Sequence, residues 1–365
     1  MKKKLALLVV GCLMVSLFAT MLDNLKTGGV DILIQLADGS EISPALDLVE
    51  QGGFAYSKYD RAGYGLLEFH CDFGPTQFVE ARQAVAMLLD RNEFARTFTG
   101  GYGSVVHGPY GAAMPEFKKA KATLDEKLNT YPFSVENAIA KLEEGGWTLG
   151  ADGKPYTSGL RYKEVTAEQA GDYAGNVTLP DGRILMPLHI QWLASEGNAV
   201  SELLKVHLVE GNAVKDAGMN ITQTVVAWNE LLNYIYRDDS VDPQYGVPTY
   251  GMYNLATGYP TTVYDYAYEW TFDEELIAQG YNRQRLFDED LDKLSMDMVY
   301  GVESGDDDTF LEKWTEYILR WNELLPQVPL YSNIYHDVYN AKLKNYEPNS
   351  YFTFTSAILY AHIED

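Results

Sequence analysis

Cysteine is nearly absent from this 365-residue chain, which has only Cys12 and Cys71. If Cys12 leaves with an N-terminal signal, no internal disulfide can form, and the fold rests on its core alone. Cys71, in LLEFHCDF, then reads as a small buried hydrophobe. His70 beside it is too little for a metal site, since neighbouring side chains on a strand face opposite ways. Positive charge is scarce as well: 28 Lys and Arg stand against 52 Asp and Glu, a formal net charge of −24. Such a surface repels phosphates, which excludes sequence-independent nucleic-acid binding and disfavours docking on anionic lipid. There is no GxSxG, HExxH, P-loop or convincing dinucleotide fingerprint, so no catalytic residue, metal or cofactor is nominated. Internal repeats and low-complexity tracts are missing too.

What is present fits a globular exported protein. The apolar fraction of 46% supports a core, and the length suffices for one large or two ordinary domains. Lys2, Lys3 and Lys4 precede an uncharged run, Leu5 to Thr20, which has the order of a secretory signal and is short for a membrane span. A signal over residues 1–20 ending near Ala19 is one reading. Val9-Val10-Gly11-Cys12 resembles a lipoprotein box, which makes Cys12 a candidate lipidation site, although the apolar run continues past it.

Apolar spacing predicts the elements that follow. Gly28 to Leu36 reads as a turn into a strand, and Gly65 to Phe73 as another, with Leu67 and Phe69 alternating against Glu68 and His70. In Glu80 to Phe94, Ala81, Ala84, Val85 and Leu88 form one apolar helical stripe, leaving Arg82, Gln83, Asp90 and Arg91 polar. Pro132 to Glu144 is a helix capped by Ser134 and ended at Gly145-Gly146, followed by a long polar loop or hairpin over Gly150 to Gly175. A strand (Met186 to Leu193), a helix (Glu196 to Val214, with Val200, Leu203, Leu204, Val206 and Leu208 mostly inward), a strand (Gly218 to Val226) and a helix (Trp228 to Tyr236) favour parallel pairing. Tyr250 to Thr257 is a third strand. Thr309-x-x-Glu312 reads as a capping box opening a helix to about Leu325, and Leu330 to Tyr339 returns as a strand. The acidic run Asp288 to Asp292 imitates a calcium loop, but Lys293 and Val299 stand where glycine and glutamate are required.

Three of these segments, EARQAVAMLLDRNEF, AIAKLEEGGWTLGADG and LEKWTEYILRWNELLPQVPLY, in this order and at these distances, resemble the extracellular solute-binding proteins of family 5. The family comprises oligopeptide-, dipeptide- and nickel-type receptors of ABC importers, and the resemblance runs from about Leu25 to the C-terminus. It implies an α/β fold: a periplasmic-binding-protein-like (type II) C-terminal lobe plus a partial first lobe. Residues 21–76 would be partial first-lobe and hinge strands, 77–327 the second lobe, and 328–365 a return to the first. Most of the first lobe is missing from the expected pattern, which suggests a truncated or internally deleted relative.

The resemblance also places a ligand site after the predicted strand at Tyr253-Asn254, where open α/β sheets hold ligands. It puts Tyr259 at a cleft-lining aromatic position, Thr262 where peptide receptors carry a carboxylate for the ligand ammonium, and Asp265 at a later Asp of the same loop. Threonine cannot neutralise a buried ammonium. Either Asp265 substitutes, or the ligand lacks a free amino terminus. Tyr264, Tyr266, Tyr268 and Trp270 alternate, as a stacking surface or as the buried face of a strand. Trp228 and His107 are further cleft candidates.

The leading expectation is a receptor, not an enzyme, that captures peptides or similar small solutes for an ABC permease, in the periplasm or at the outer face of the cytoplasmic membrane, with a lipid anchor if Cys12 is modified. Its rivals are an exported carbohydrate-active protein (an oligosaccharide receptor or glycoside hydrolase) and a single-lobe interaction module.

Overall fold

A computed structural model of the chain describes residues 19–259 and 264–364. The expected signal up to residue 18, with Cys12, lies outside the described residues, as does Thr262. Eight strands form the main sheet: β1 (Ile32–Leu36), β2 (Phe54–Asp60), β3 (Gly63–Phe69), β4 (Gly103–Ser104), β5 (His189–Ser195), β6 (Asn220–Val226), β7 (Met252–Gly258) and β8 (Gln327–Asn340). Their order is β1-β8-β3-β7-β5-β6, with β2 and β4 also joined to β8. The β7–β5 and β5–β6 pairs are parallel, as the alternation of strand and helix requires; the others are antiparallel.

Strand β8 organises the sheet. Its first residues pair with β3, the register slips between Pro329 and Tyr331, and Ile334–Asn340 then pair with β2. Proline lacks the amide that a ladder needs, so the irregularity falls beside it and lets the strand bend toward β1 and β2. A small core over there, Leu33, Leu36, Ile42, Leu48 and Val338, closes under helix α1 (Gly39–Glu50). The main core lies around β3 and β5, against α2 (Val79–Met87), α3 (Arg91–Thr99), α4 (Pro115–Lys127) and α5 (Val135–Glu144). Trp147 is fully buried in it, behind the Ser134-capped helix. Helix α6 (Trp228–Tyr236) covers a satellite cluster with Leu193 and Tyr253. Helices α7 (Glu289–Tyr300) and α8 (Asp307–Leu324) pack together near the cavity described below. Among the described residues no helix is long and apolar enough to cross a membrane.

Several local expectations are corrected. Glu80 to Phe94 is two helices, not one, because the Asp90 side chain accepts the Glu93 amide at 3.0 Å and starts α3 afresh. Arg82 is not on a polar outer face. It is buried and donates from Nε and Nη2 to the Leu324 carbonyl (3.1 and 2.6 Å), placing a cation at the carbonyl end of α8. Met186 to Leu193 is broken at Leu188: Ile184–Pro187 pairs with Tyr162–Val165, inside the stretch expected to be a loop or hairpin, and only β5 joins the main sheet. Glu196 to Val214 is likewise interrupted. Ala199–Lys205 is α-helical, Val206–Glu210 a wider π turn and Ala213–Asp216 a last short helix, and Val206 points outward. The capping residue of α8 is Asp306, whose Oδ1 accepts the Thr309 amide at 3.1 Å, so Thr309 lies inside the first turn. Residues 264–270 form turns instead of a strand; Tyr266 and Trp270 are buried, Tyr264 and Tyr268 partly so.

Candidate functional site

Alternation along strand β3 sets Glu68 and His70 on the face opposite Leu67 and Phe69. Both are buried: β3 is covered on either side, and its polar face is part of the interior. Antiparallel register sets Gln327 of β8 directly against Glu68. The Glu68 carboxylate accepts from Arg283 Nε (2.8 Å) and Nη2 (2.7 Å), from Gln284 Nε2 (2.8 Å) and from Gln327 Nε2 (2.9 Å). Tyr64, four residues earlier on the same face, donates to Gln327 Oε1 at 2.6 Å. A buried carboxylate thus obtains a bidentate guanidinium and two amides, which together satisfy its lone pairs. The nearby carboxylate holds the Arg283 guanidinium well above its ordinary range.

Asn282 holds the segment carrying Arg283 in place. Its backbone is left-handed (φ 37°), a conformation asparagine tolerates. Its Nδ2 donates to the carbonyls of Thr271 (2.9 Å) and Leu286 (3.0 Å), and its amide donates to the Glu269 carbonyl at 3.1 Å. Glu269 is thereby held opposite α8. The inner stripe of that helix, Trp314, Tyr317, Ile318 and Trp321, repeats at helical spacing and is buried. Tyr317 donates to Glu269 Oε2 at 2.9 Å, and Trp270 Nε1 donates to the Tyr317 hydroxyl at 3.0 Å.

These groups surround a cavity of about 350 Å³ at the C-terminal end of β7. Tyr64, Tyr259, Tyr264, Trp270, Tyr281 and Trp321 supply its rings, while Asp265, Glu269, Arg283 and Gln327 supply its polar groups. Tyr259 is anchored: its hydroxyl donates to the Pro109 carbonyl at 2.6 Å. Edge-to-face contacts continue from it through Tyr264 and Tyr266 to Tyr317, with centroids 4.9, 4.8 and 5.4 Å apart. Burial holds the Tyr64, Tyr259 and Tyr317 phenols well above the tyrosine range. Burial also pushes the Glu269 carboxyl up, to about 7, against the opposing effects of the Tyr317 hydrogen bond and the Arg283 charge. Asp265 is exposed at the edge, its Oδ1 accepting the Ala267 amide, and it also borders a second cavity of about 470 Å³. Among the described residues no cluster of His, Cys, Asp and Glu could hold a metal ion.

Of the residues nominated from sequence, Tyr259, Tyr264 and Asp265 meet in this cavity. Tyr253 does not line it: its hydroxyl lies 3.3 Å from His70 Nδ1 within the α6 cluster. Asn254 is a structural tie, accepting from Trp192 Nε1 (3.2 Å) and Ser201 Oγ (3.0 Å). Trp228 stands at the surface, half exposed, at the start of α6. His107 is not among the lining residues; burial lowers its imidazole to about 4, and its carbonyl accepts from Asn322. Glu68, Glu269, Arg283 and Gln327 were missed. Their partners are separated by about two hundred residues or more in several cases, so no local spacing marks them.

The sequence matches the model for bacterial extracellular solute-binding proteins, family 5 middle, over residues 15–181. The match takes in just under half of the chain. The fold also matches the oligopeptide-binding protein AppA of Bacillus subtilis, solved with a nonapeptide (TM-score 0.68, 15% identity, 95% of this chain and 59% of that one). An oligopeptide-binding protein of Thermus thermophilus, solved with a pentapeptide, is similar at TM-score 0.68 and 19% identity, over 97% and 53% of the two chains. NikA of Staphylococcus aureus, solved with Ni(L-His)2, gives 0.61 and 15%, over 92% and 58%. The chain therefore spans just over half the length of these structures. No curated protein matches the sequence significantly. Tyr64 and Pro109 fall within the family-model match, while Tyr259 to Gln327 lie beyond it and share only the fold likeness.

Proposed function

We propose that this chain is a family 5 solute-binding protein, the solute-capturing component of an ABC importer, working outside the cytoplasmic membrane, with the Tyr259–Glu269 cavity as its solute site. The observation that carries this reading is the cavity itself. It is concave, ring-lined, furnished with a few convergent polar groups, and of a volume within the ~300–1,000 Å³ usual for small-ligand sites. Rigid rings offer contact area at little entropic cost, which suits solutes of varied shape.

Short peptides are the proposed solutes. Two of the similar structures hold peptides, and tyrosine and tryptophan rings with Gln and Asp can meet a peptide's mixed surface. On this reading residues 77–327 form the second lobe, with 21–76 and 328–365 the retained part of the first. An ABC permease is the downstream partner, and Cys12 a membrane anchor if it is lipidated.

Calorimetry against peptides of two to five residues, oligosaccharides and nickel–histidine tests the proposal. Saturable heat with peptides is the expected result. Binding of oligosaccharide alone, or turnover of a glycoside, would assign the cavity to carbohydrate; silence with every class would leave the chain an interaction module.

A further inference from the structure

We infer that the cavity selects solutes carrying an ammonium group, and that Glu269, not the loop at 262–265, is the carboxylate that receives it. The inference rests on the receptor reading above and adds a ligand chemistry to it. Among the described residues lining the cavity, Arg283 is the one basic side chain, and its charge is already committed to Glu68 through two hydrogen bonds. The carboxyl groups of the lining that have no basic hydrogen-bond partner among the described residues are then Glu269 and Asp265. Asp265 is solvated at the rim, whereas Glu269 is enclosed by rings.

Glu269 is built for a further partner. Tyr317 donates to its Oε2, and among the described residues no other side chain hydrogen-bonds to the carboxylate, which leaves acceptor capacity at Oε1. Trp270 orients Tyr317 in turn, so the carboxylate is aimed by two successive donors. Tyr64, Tyr259, Tyr264 and Tyr281 line the same space. Ring faces are electronegative and attract a cation beside a carboxylate, most strongly where water is displaced.

Proton release should accompany capture. The titratable groups facing Glu269 are Tyr64 from β3, Tyr259 after β7, Tyr264 and Tyr266 from its own segment, Tyr317 from α8, and Arg283. The phenols stay neutral and the guanidinium charged throughout the physiological range, so Glu269 is the member that changes state near neutrality. An incoming ammonium favours its ionised form and displaces the proton.

The test uses a pool of lysine-free tripeptide amides with free amino termini and the same pool N-acetylated, each equilibrated with the full chain by dialysis and read by mass spectrometry. At pH 7.5 the free-amine pool is expected to be retained about tenfold better than the acetylated one, and the advantage to shrink about tenfold by pH 5.5, as a carboxyl titrating near 7 requires. Glu269→Gln is expected to abolish the preference. Tyr317→Phe, which removes the donor favouring the ionised form, is expected to move the transition to higher pH. Equal retention of the two pools, or a preference unchanged in Glu269→Gln, overturns the inference and leaves the receptor reading standing. Retention of neither pool overturns both.

Discussion

The Glu68 carboxylate and the Arg283 guanidinium, 215 residues apart in the chain, meet through two parallel hydrogen bonds of 2.8 and 2.7 Å beside the cavity. Glu68 is fully buried while Arg283 keeps some exposure, so the two partners are not equivalent. Removing the guanidinium strands a carboxylate that cannot reach water. Arg283→Met is expected to cost about 3–5 kcal/mol, the usual penalty for orphaning a buried ion. Adding Glu68→Gln to it is expected to recover part of that loss, since the remaining amide partners can hydrogen-bond a neutral side chain. Urea denaturation of both variants measures the difference.

The stability of the chain should also record the protonation of Glu269. Its carboxyl is raised from 4.5 to about 7 by burial, so between those values the folded chain binds a proton that the unfolded chain has released. Stability therefore falls as pH rises through that window, and the loss is complete above about pH 7. Glu269→Gln removes the titration. The variant is expected to gain about 2 kcal/mol on the native protein at pH 8 compared with pH 4.5, a figure reduced for the partial exposure of the group. Parallel melting curves at the two pH values check it; equal differences at both would show that Glu269 titrates normally.

Helix α8 supplies Tyr317 and Trp321, and its start is set by one side chain. Because Asp306 accepts the Thr309 amide, Asp306→Ala is expected to cost about 1 kcal/mol. Glu312→Ala, which would break the capping box expected from sequence, is expected to change stability by less than about 0.5 kcal/mol. Thermal denaturation of the two variants separates these registers.

Periodicity and end signals made much of the frame legible. Trp228 to Tyr236 matches α6, Ser134 caps α5, and the parallel pairing of β5 with β6 and β7 follows from alternating strand and helix. Failures occur where a side chain competes locally with the pattern, as Asp90 and Asp306 do, or where Pro187 ends one pairing and Leu188 lets another begin. The cavity was half visible. Tyr259, Tyr264 and Asp265 share one loop, and a strand-end argument finds them together. Alternation separates Glu68 from Leu67 and Phe69 but does not say what covers its face, and only a sheet covered on both faces makes it internal. Its partners Arg283, Gln284 and Gln327 come from distant turns and strands, and Glu269 acquires its surroundings from α8. Such convergence is a property of topology and leaves no spacing to read.

Tyr259 unites wall and scaffold, and two substitutions separate these roles. The ring lines the cavity and packs on Tyr264, while the hydroxyl donates to the Pro109 carbonyl at 2.6 Å in a buried setting. Tyr259→Phe keeps the ring and strands that carbonyl, so it is expected to cost about 1–2 kcal/mol of stability with solute retention preserved. Tyr259→Ala also removes the ring, which is expected to cost about 3–5 kcal/mol and to abolish retention. Denaturation and dialysis on the same preparations give both readouts. If Tyr259→Ala loses stability yet retains the peptide pool as the native chain does, Tyr259 belongs to the core alone, and the solute wall must be sought around Tyr281 and Glu269.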